Sequence, residues 1–291
     1  MWLIALLLVA DSTAILRVSV APLESLHVVV VGPAEGLPVV LVPGLFGSAY
    51  GFRHLLPLLT EAGYRAIVIE PLGIGGSARP ARADYSLTAQ AGRLAAVLDT
   101  LGVGPVLLVA HSLGASMALR VAVRRPDLVR GVVSLEGGPA EAAATAGFRR
   151  AMRLAPWVKV FGGVRRIRRA VHRSLVAASG DTTWVTDEVV AAYTAGAAAD
   201  LDATLLAYLR MAEAREPERL APRLGDVHVP VRLVLGAAPH AGGPAAAERE
   251  LLRARLPWFA EDTVAGVGHY LHEERPAAVL EAVQRMASSA R

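Results

Sequence analysis

The segment Val106–Ala115, VLLVAHSLGA, joins an apolar strand pattern to an alanine-rich helical pattern with no loop between them. Such a junction predicts a sharp strand-to-helix turn at Ser112. Ala110 and Gly114 stand two positions either side of the serine, where larger side chains would collide with the neighbouring strand and helix. The turn would place the Ser112 hydroxyl at a helix N-terminus, which favours developing negative charge. A serine nucleophile is therefore predicted; the alternative is a serine that only caps an ordinary helix.

Short β-branched runs alternate with longer helical patterns on both sides of this segment. This alternation predicts an α/β fold with a mostly parallel sheet flanked by helices. Strands are expected at Ile15–Val20, His27–Val31, Val39–Val42, Arg65–Glu70, Val106–Val109, Gly131–Leu135, Val231–Leu235 and near Thr263. Helices are expected at Leu87–Leu101, Ser112–Val123, Ala245–Leu256 and Pro276–Met286.

The alternation stops once, from about Pro139 to Arg223, where only helical stretches are found. Neither flanking part is self-sufficient as a sheet, so one core with a helical insertion is predicted. The expected core is 15–138 and 224–291, and the expected insertion is 139–223.

The first ten residues, MWLIALLLVA, are an apolar run too short to span a bilayer. Residues 1–14 are interpreted as a leader, a possible signal or anchor that lacks a positively charged start. The alternative is a segment that merely precedes the first strand. A cytoplasmic and an exported or membrane-associated location both stay open.

Composition narrows the function classes. The 291 residues include no cysteine, which excludes disulfides, thiolate nucleophiles and cysteine metal sites. The net charge of +4 is local, because nine basic and no acidic residues lie between Arg149 and Arg173 while the rest of the chain has 21 basic and 26 acidic residues. No nucleic-acid-binding motif accompanies this basic segment, so a general nucleic-acid binder is not expected.

Four stretches together resemble the α/β-hydrolase superfamily, and the resemblance covers nearly the whole chain from about Val28 to Met286. They are PGLFGS at 43–48, EPLGIGGS at 70–77, AHSLG at 110–114 and GVGHYLHEE at 266–274. Their order and spacing match the family. The resemblance implies that the insertion after the sixth core strand is a lid, and that Ser112 is the nucleophile of a catalytic triad.

The resemblance also implies the base and the acid. His269, in a glycine-containing loop after the last strand, is the expected base. The stretch 235–243, where relatives usually carry the acid, has no carboxylate, so Glu136 at the end of the sixth strand is assigned instead. The alternative for Glu136 is a solvated loop glutamate. His272 is expected to cap a helix or face solvent, and no further ligand supports a metal pair with His269.

The oxyanion hole is expected from backbone N–H groups alone. Relatives usually carry His-Gly after the third core strand, whereas this chain has Pro43-Gly44. The N–H groups of Leu45 and Leu113 are assigned as donors, because the chemistry needs no histidine side chain there. The alternative for this segment is a plain turn.

The lid is expected to supply an apolar substrate pocket. Phe46, Trp157, Phe161 and Trp184 are its predicted wall residues. Within the lid, a helical stripe of Val164, Ile167, Val171 and Leu175 is surrounded by arginines 165, 166, 168, 169 and 173. The favoured interpretation is a buried stripe with solvated arginines; the alternative is peripheral contact with an anionic membrane.

The expected function is hydrolysis of carboxylic esters with apolar acyl or alcohol groups through an acyl-enzyme. No metal or organic cofactor is implied. A serine nucleophile argues against the family's dehalogenases and epoxide hydrolases, which use Asp there. Acyl transfer and hydrolysis of lactones, thioesters or carbon–carbon bonds remain open on the same machinery, as does a non-catalytic ligand-binding protein.

Overall fold

A computed structural model of the chain describes residues 13–143, 149–150 and 163–289. Its centre is one eight-stranded sheet in the order β1-β2-β4-β3-β5-β6-β7-β8, in which β2 alone runs opposite to the other strands. The strands are β1 (Ala14–Ala21), β2 (Glu24–Val31), β3 (Pro38–Val42), β4 (Arg65–Ile69), β5 (Val106–His111), β6 (Val129–Leu135), β7 (Val231–Gly236) and β8 (Phe259–Val264). The predicted α/β fold with a mostly parallel sheet is confirmed.

Strand β3 shows why the core has two halves. Successive strand residues point to opposite faces, so Val40 and Val42 pack into one apolar cluster while Val39 and Leu41 pack into another. All four are fully buried. A strand covered on both faces reads as a continuous apolar run, which is the pattern that the sequence shows.

Within the described residues, helices cover both faces of the sheet and also form much of the insertion. They are α1 (Leu55–Glu61), α2 (Leu87–Leu101), α3 (Leu113–Arg124), α4 (Gly163–Ala178), α5 (Asp187–Tyr193), α6 (Ala195–Ala199), α7 (Leu201–Glu213), α8 (Ala246–Arg255), α9 (Leu271–Glu274) and α10 (Pro276–Ser289). Helices α2, α3 and α8 contribute to the first cluster, and α1 and α10 contribute to the second.

Helix α2 has the expected bounds because both ends carry local signals. The Ser86 hydroxyl accepts a hydrogen bond from the Ala89 N–H, and Gly102 ends the helix in the left-handed conformation with φ 62°. Strand β5 runs two residues past its expected end, through His111, because the ladder with β6 continues to the pair His111–Leu135.

The described part of the insertion, between β6 and β7, contains α4 to α7. No helix within the described residues is long and apolar enough to cross a membrane. Strand β1 already begins at Ala14, the last residue of the expected leader, and residues 1–12 lie outside the described residues. The domain bounds and the use of the insertion as a lid stay predictions.

Candidate active site

Ser112 and Glu136 follow neighbouring parallel strands at the same edge of the sheet. The Ser112 N–H donates to the Leu135 carbonyl oxygen at 2.8 Å, and the Glu136 N–H donates to the Val234 carbonyl oxygen at 3.0 Å. Each residue therefore continues the hydrogen-bond ladder by one step beyond its strand. This fixes both backbones relative to β6 and β7 before any side-chain contact is made.

The Ser112 turn is strained in the way that the sequence pattern predicts. Ser112 has φ 50° and ψ −119°, a left-handed backbone that a residue with a side chain rarely adopts. A Cβ on Gly114 would lie 2.7 Å from the Val42 carbonyl oxygen, so only glycine fits there. The Ser112 side chain makes no capping hydrogen bond to α3, which does not support the helix-cap alternative.

Glu136 is a buried carboxylate that faces His269. Its side chain is 2% exposed, and its Oε2 lies 3.8 Å from His269 Nδ1. This separation is longer than a hydrogen bond, although catalytic contacts are often long before substrate binds. The Glu136 Oε1 accepts the Gly236 N–H at 2.5 Å. Burial alone would raise the pKa of Glu136, but His269, this N–H and His240 outweigh it and hold the pKa below its ordinary value.

The His269 backbone is held from two sides. Its N–H donates to the Ala178 carbonyl oxygen at the end of α4, at 2.7 Å. Its own carbonyl oxygen lies 2.9 Å from His111 Nε2. Since a carbonyl oxygen only accepts, His111 carries its hydrogen on Nε2 and donates it. Burial lowers the pKa of His111 well below its usual range, which keeps the ring neutral.

Sequence reasoning did not assign a role to His111, although it stands next to Ser112 in the segment that decides the fold. Its ring centroid lies 4.6 Å from that of His269. The contact brings the loop after β8 against the end of β5, where the serine turn begins. Its position in the AHSLG motif was the one feature of the sequence that could have drawn attention to it. Its bonding partner lies 158 residues away, and the sequence does not show that the two residues meet.

The expected exposure of His272 is wrong. The residue is buried among aromatic rings, with ring-centroid distances of 4.9 Å to Phe52 and 4.5 Å to His111. Burial, with the nearby His269 and Arg53, lowers the pKa of His272 to about 3, so the ring stays uncharged at neutral pH. The reason for the error is that helix α9 folds inward onto the sheet edge, which the local sequence does not reveal.

Backbone donors for an oxyanion lie beside Ser112. A Cβ on Gly44 would be 2.9 Å from the Ser112 Cβ, so the chain after β3 passes directly against the serine. Within the described residues, the Leu45 N–H has no hydrogen-bond acceptor. Leu113 is the first residue of α3, and such N–H groups have no partner within their helix. Both predicted donors are therefore available.

A third residue contacts the Glu136 carboxylate and was not anticipated. His240, in the loop after β7, places its Nε2 3.2 Å from Glu136 Oε2. Sequence reasoning examined this loop only for a missing carboxylate. The histidine in this loop could have suggested a polar contact. Its distance to Glu136, however, depends on how β6 and β7 pair, which the sequence does not specify.

A cavity of about 880 Å³ lies between the core and the insertion. Phe46 lines it, as does Tyr270, the neighbour of His269; Ser112, Glu136 and His269 are not among the described lining residues. Trp184 is not among them either and packs against Tyr193 and Tyr270 instead. Trp157 and Phe161 lie outside the described residues, so their place in a pocket stays a prediction.

The part of this cavity lined from β2 and from the end of β4 is polar. Glu70 accepts the Ala49 N–H at 2.6 Å and the Gly76 N–H at 2.5 Å, which ties the loops after β3 and β4 together. His27 Nδ1 lies 3.1 Å from the same carboxylate, which raises the pKa of His27. Both residues line the cavity, and sequence reasoning had quoted Glu70 only as part of a motif.

Comparison with known proteins gives a family match and several similar folds. The family described as alpha/beta hydrolase fold matches residues 38–185. A haloalkane dehalogenase of Mycobacterium marinum is 30% identical over 113 residues, which is 38% of this chain and 38% of that protein. The chain thus matches about two-fifths of the length of such a curated relative.

Solved structures are similar over nearly the whole chain. The epoxide hydrolase CorEH has a TM-score of 0.80 at 19% identity and covers 96% of this chain and 100% of its own. A haloalkane dehalogenase from Bradyrhizobium elkani has a TM-score of 0.71 at 22% identity, and the match covers 95% of this chain and 98% of that chain. At identities of 19% and 22%, the similarity shows a common fold and no more.

The close approach of Gly44 to Ser112 gives a first prediction. Gly44→Ala places a methyl group 2.9 Å from the Ser112 Cβ and must displace the Leu45 N–H. Loss of one oxyanion donor lowers turnover by about 10²- to 10³-fold. The measurement is ester turnover together with thermal unfolding. Gly92→Ala is the control, because its Cβ would have open space within α2; it should leave turnover unchanged. Full activity of Gly44→Ala would remove Leu45 from the oxyanion hole.

Proposed function

Since the chain belongs to the alpha/beta hydrolase fold family, we propose that it is a serine hydrolase that cleaves carboxylic esters of apolar acyl or alcohol groups. The observation that carries this proposal is the strained Ser112 turn, which holds a serine free of capping bonds beside unpaired backbone donors. The Glu136–His269 contact supplies the remaining parts of an acyl-transfer site.

The proposed reaction has two steps. The Ser112 Oγ attacks the ester carbonyl carbon while His269 takes the serine proton through Nε2. The N–H groups of Leu45 and Leu113 stabilise the negative oxygen of the tetrahedral intermediate. His269 then gives the proton to the leaving alcohol, and a water molecule activated in the same way hydrolyses the acyl-serine.

Glu136 supports both steps through His269. A carboxylate facing Nδ1 holds the hydrogen on that nitrogen, which leaves the Nε2 lone pair free to accept the serine proton. It also stabilises the imidazolium that forms during each step. The low pKa of Glu136 means that the carboxylate is ionised at neutral pH, as this role needs.

A serine nucleophile favours ester hydrolysis over the dehalogenase and epoxide hydrolase activities for which the similar proteins are named. A serine that displaced a halide would form an alkyl ether, which water and a histidine base cannot hydrolyse. Turnover would therefore stop after one event. A serine acyl ester has an electrophilic carbonyl carbon and can be hydrolysed, so acyl chemistry is the cycle that Ser112 can complete.

The cavity supports an apolar group on the substrate. Its described lining includes the side chains of Phe46, Ile167, Leu175, Leu205 and Tyr208. A volume of about 880 Å³ falls within the range of small-molecule sites, about 300–1,000 Å³. Phe46 and Tyr270 line it and are the chain neighbours of Leu45 and His269, which places the cavity next to the proposed site.

Hydrolysis of a p-nitrophenyl ester series, from acetate to dodecanoate, tests the proposal. We expect the wild type to turn over, and Ser112→Ala to lose activity to the background rate because the attacking oxygen is gone. Ser288→Ala removes an exposed hydroxyl of α10 that bonds only within its own helix, to the Gln284 carbonyl oxygen, and should match the wild type. Release of p-nitrophenol is the measurement.

The same assay separates the remaining alternatives. A folded wild-type protein without turnover would favour the non-catalytic ligand-binding alternative. Ser112-dependent turnover that yields mainly acylated product when an alcohol or thiol is added would favour an acyltransferase. Lactone and thioester substrates extend the series to those bond types.

The assignment of Glu136 has its own test. Glu136→Gln keeps the size of the side chain and an oxygen for the Gly236 N–H, but it loses the charge that orients His269. The turnover number should fall, by as much as about 10⁴-fold. Glu250→Gln is the control, because Glu250 is exposed and away from the site. If Glu136→Gln kept wild-type turnover, another carboxylate would have to orient His269.

We also propose that helix α4 is a contact surface for anionic lipid. Its residues Ile167, Val171 and Leu175 line the cavity, so the apolar stripe faces the substrate space. Arginines 165, 166, 168, 169 and 173 surround it, and no ion pair to an acidic side chain is found for any of the five within the described residues. Basic side chains beside an apolar cavity suit an ester presented at a negatively charged surface.

Co-sedimentation with vesicles tests this surface. At low salt we expect the wild type to bind vesicles containing phosphatidylserine and to be released by added salt, which screens surface charge. The triple variant Arg165→Gln, Arg168→Gln, Arg169→Gln should bind more weakly by about 1 kcal/mol per charge. Arg82→Gln removes an exposed charge elsewhere and should bind normally. Wild-type protein that stays in the supernatant at low salt would contradict the proposal.

A further inference from the structure

Glu136, His240 and His269 converge on one small volume at the edge of the sheet. One ligand atom from each residue lies within 4.8 Å of those of the other two, and Glu136 Oε2 is 3.2 Å from His240 Nε2 and 3.8 Å from His269 Nδ1. They come from the loops after β6, β7 and β8, three strands that pair in sequence order. The proposed mechanism uses Glu136 and His269 and gives no role to His240.

The hydrogen bonding of His240 points to a cation between it and Glu136. His240 Nδ1 lies 2.7 Å from the Ala238 carbonyl oxygen, so this nitrogen carries a hydrogen and donates it. A neutral His240 would then turn the bare lone pair of Nε2 toward the Glu136 carboxylate, 3.2 Å away. Two electron-rich atoms at this distance repel each other. A metal ion bound between the two atoms would remove this repulsion.

Both groups are oriented in the way that metal ligands usually are. A metal-binding histidine commonly donates its other ring N–H to a backbone carbonyl, as His240 does. The Glu136 carboxylate is fixed through Oε1 by the Gly236 N–H, which leaves Oε2 to face the histidines. Within the described residues, His269 Nδ1 has no hydrogen-bond partner although its side chain is nine-tenths buried.

The spacing suits a tetrahedral zinc-type ion. Bonds of about 2.0–2.2 Å in tetrahedral geometry place neighbouring ligand atoms about 3.3–3.6 Å apart. The observed separations from Glu136 Oε2 are 3.2 Å to His240 and 3.8 Å to His269, so a small closure completes the site. Two imidazoles favour Zn²⁺, Ni²⁺ or Cu²⁺ over Mg²⁺ or Ca²⁺.

The loop after β7 leaves this volume free because it has two glycines there. A Cβ on Gly242 would lie 2.9 Å from His269 Nδ1, and one on Gly243 would overlap Glu136 Oε2. Both have left-handed φ angles, 103° and 79°. The side chains of His240 and His269 are each 10% exposed, which gives an ion a path from solvent.

We propose that Glu136, His240 and His269 bind a Zn²⁺-type cation and that this binding switches off the hydrolase. The inhibition rests on the proposed function, whereas the binding does not. An ion on Nδ1 takes the lone pair there, so the neutral His269 ring must keep its hydrogen on Nε2. Nε2 then cannot accept the Ser112 proton. The same ion draws Glu136 away from its role of orienting His269, so metal binding and catalysis exclude each other.

Titration of ZnCl₂ against a chromogenic zinc indicator tests the binding directly. The wild type should remove one zinc per chain from the indicator, and His240→Gln should bind at least about tenfold more weakly. His228→Gln is the matched control, because His228 is an exposed histidine away from the site. MgCl₂ should not compete with zinc. Near-ultraviolet circular dichroism verifies folding, and His240→Ala serves as the second variant.

Ester turnover is measured with and without ZnCl₂ and then after EDTA. Wild-type turnover should fall with zinc and recover with EDTA, while His240→Gln should resist zinc relative to its own zinc-free rate. Equal zinc affinity in the wild type and both His240 variants, or loss of binding in His228→Gln, would overturn the site. Absence of ester turnover would defeat the proposed function and leave the indicator result standing. A wild type that binds no zinc but shows Ser112-dependent turnover would defeat only this inference.

Discussion

The ladder hydrogen bond from the Ser112 N–H to the Leu135 carbonyl oxygen is the constraint on which the site depends. It extends the pairing of β5 and β6 into the turn and fixes Ser112 with a left-handed backbone. A strained turn persists only where the surrounding structure determines it. Here the buried strands on either side and the close contact with Gly44 provide that structure, so the hydroxyl faces outward without making a capping bond.

The histidine reaches this turn through contacts with distant parts of the chain. The His269 N–H bonds to the end of α4 in the insertion, and its carbonyl accepts from His111 at the end of β5. Glu274 adds a further connection, because its carboxylate accepts the N–H groups of Gly268 and Gly180. Core and insertion therefore position His269 jointly, and a change in the insertion can alter the site without touching Ser112.

Glu136 shows how one carboxylate can take part in two arrangements. Its Oε1 is fixed by the Gly236 N–H, while its Oε2 faces both His269 and His240. Facing His269, it supports the transfer of the serine proton that we propose. Between both histidines, it can complete a set of metal ligands. The two uses compete for the same oxygen, which makes the loop after β7 a natural place for control of the site.

The sequence by itself determined the sheet and the order of its strands along the chain, and it was enough to propose Ser112, Glu136 and His269 as the catalytic residues. Strand and helix patterns are local, and the AHSLG turn needs small residues at fixed spacing. Tertiary structure alone decided which side chains meet. The burial of His272, the bond from His111 to the His269 loop and the approach of His240 to Glu136 join residues that are far apart in the chain or folded inward by later elements. Such contacts depend on how β5, β6, β7 and β8 pair, and local sequence does not specify distances between paired strands.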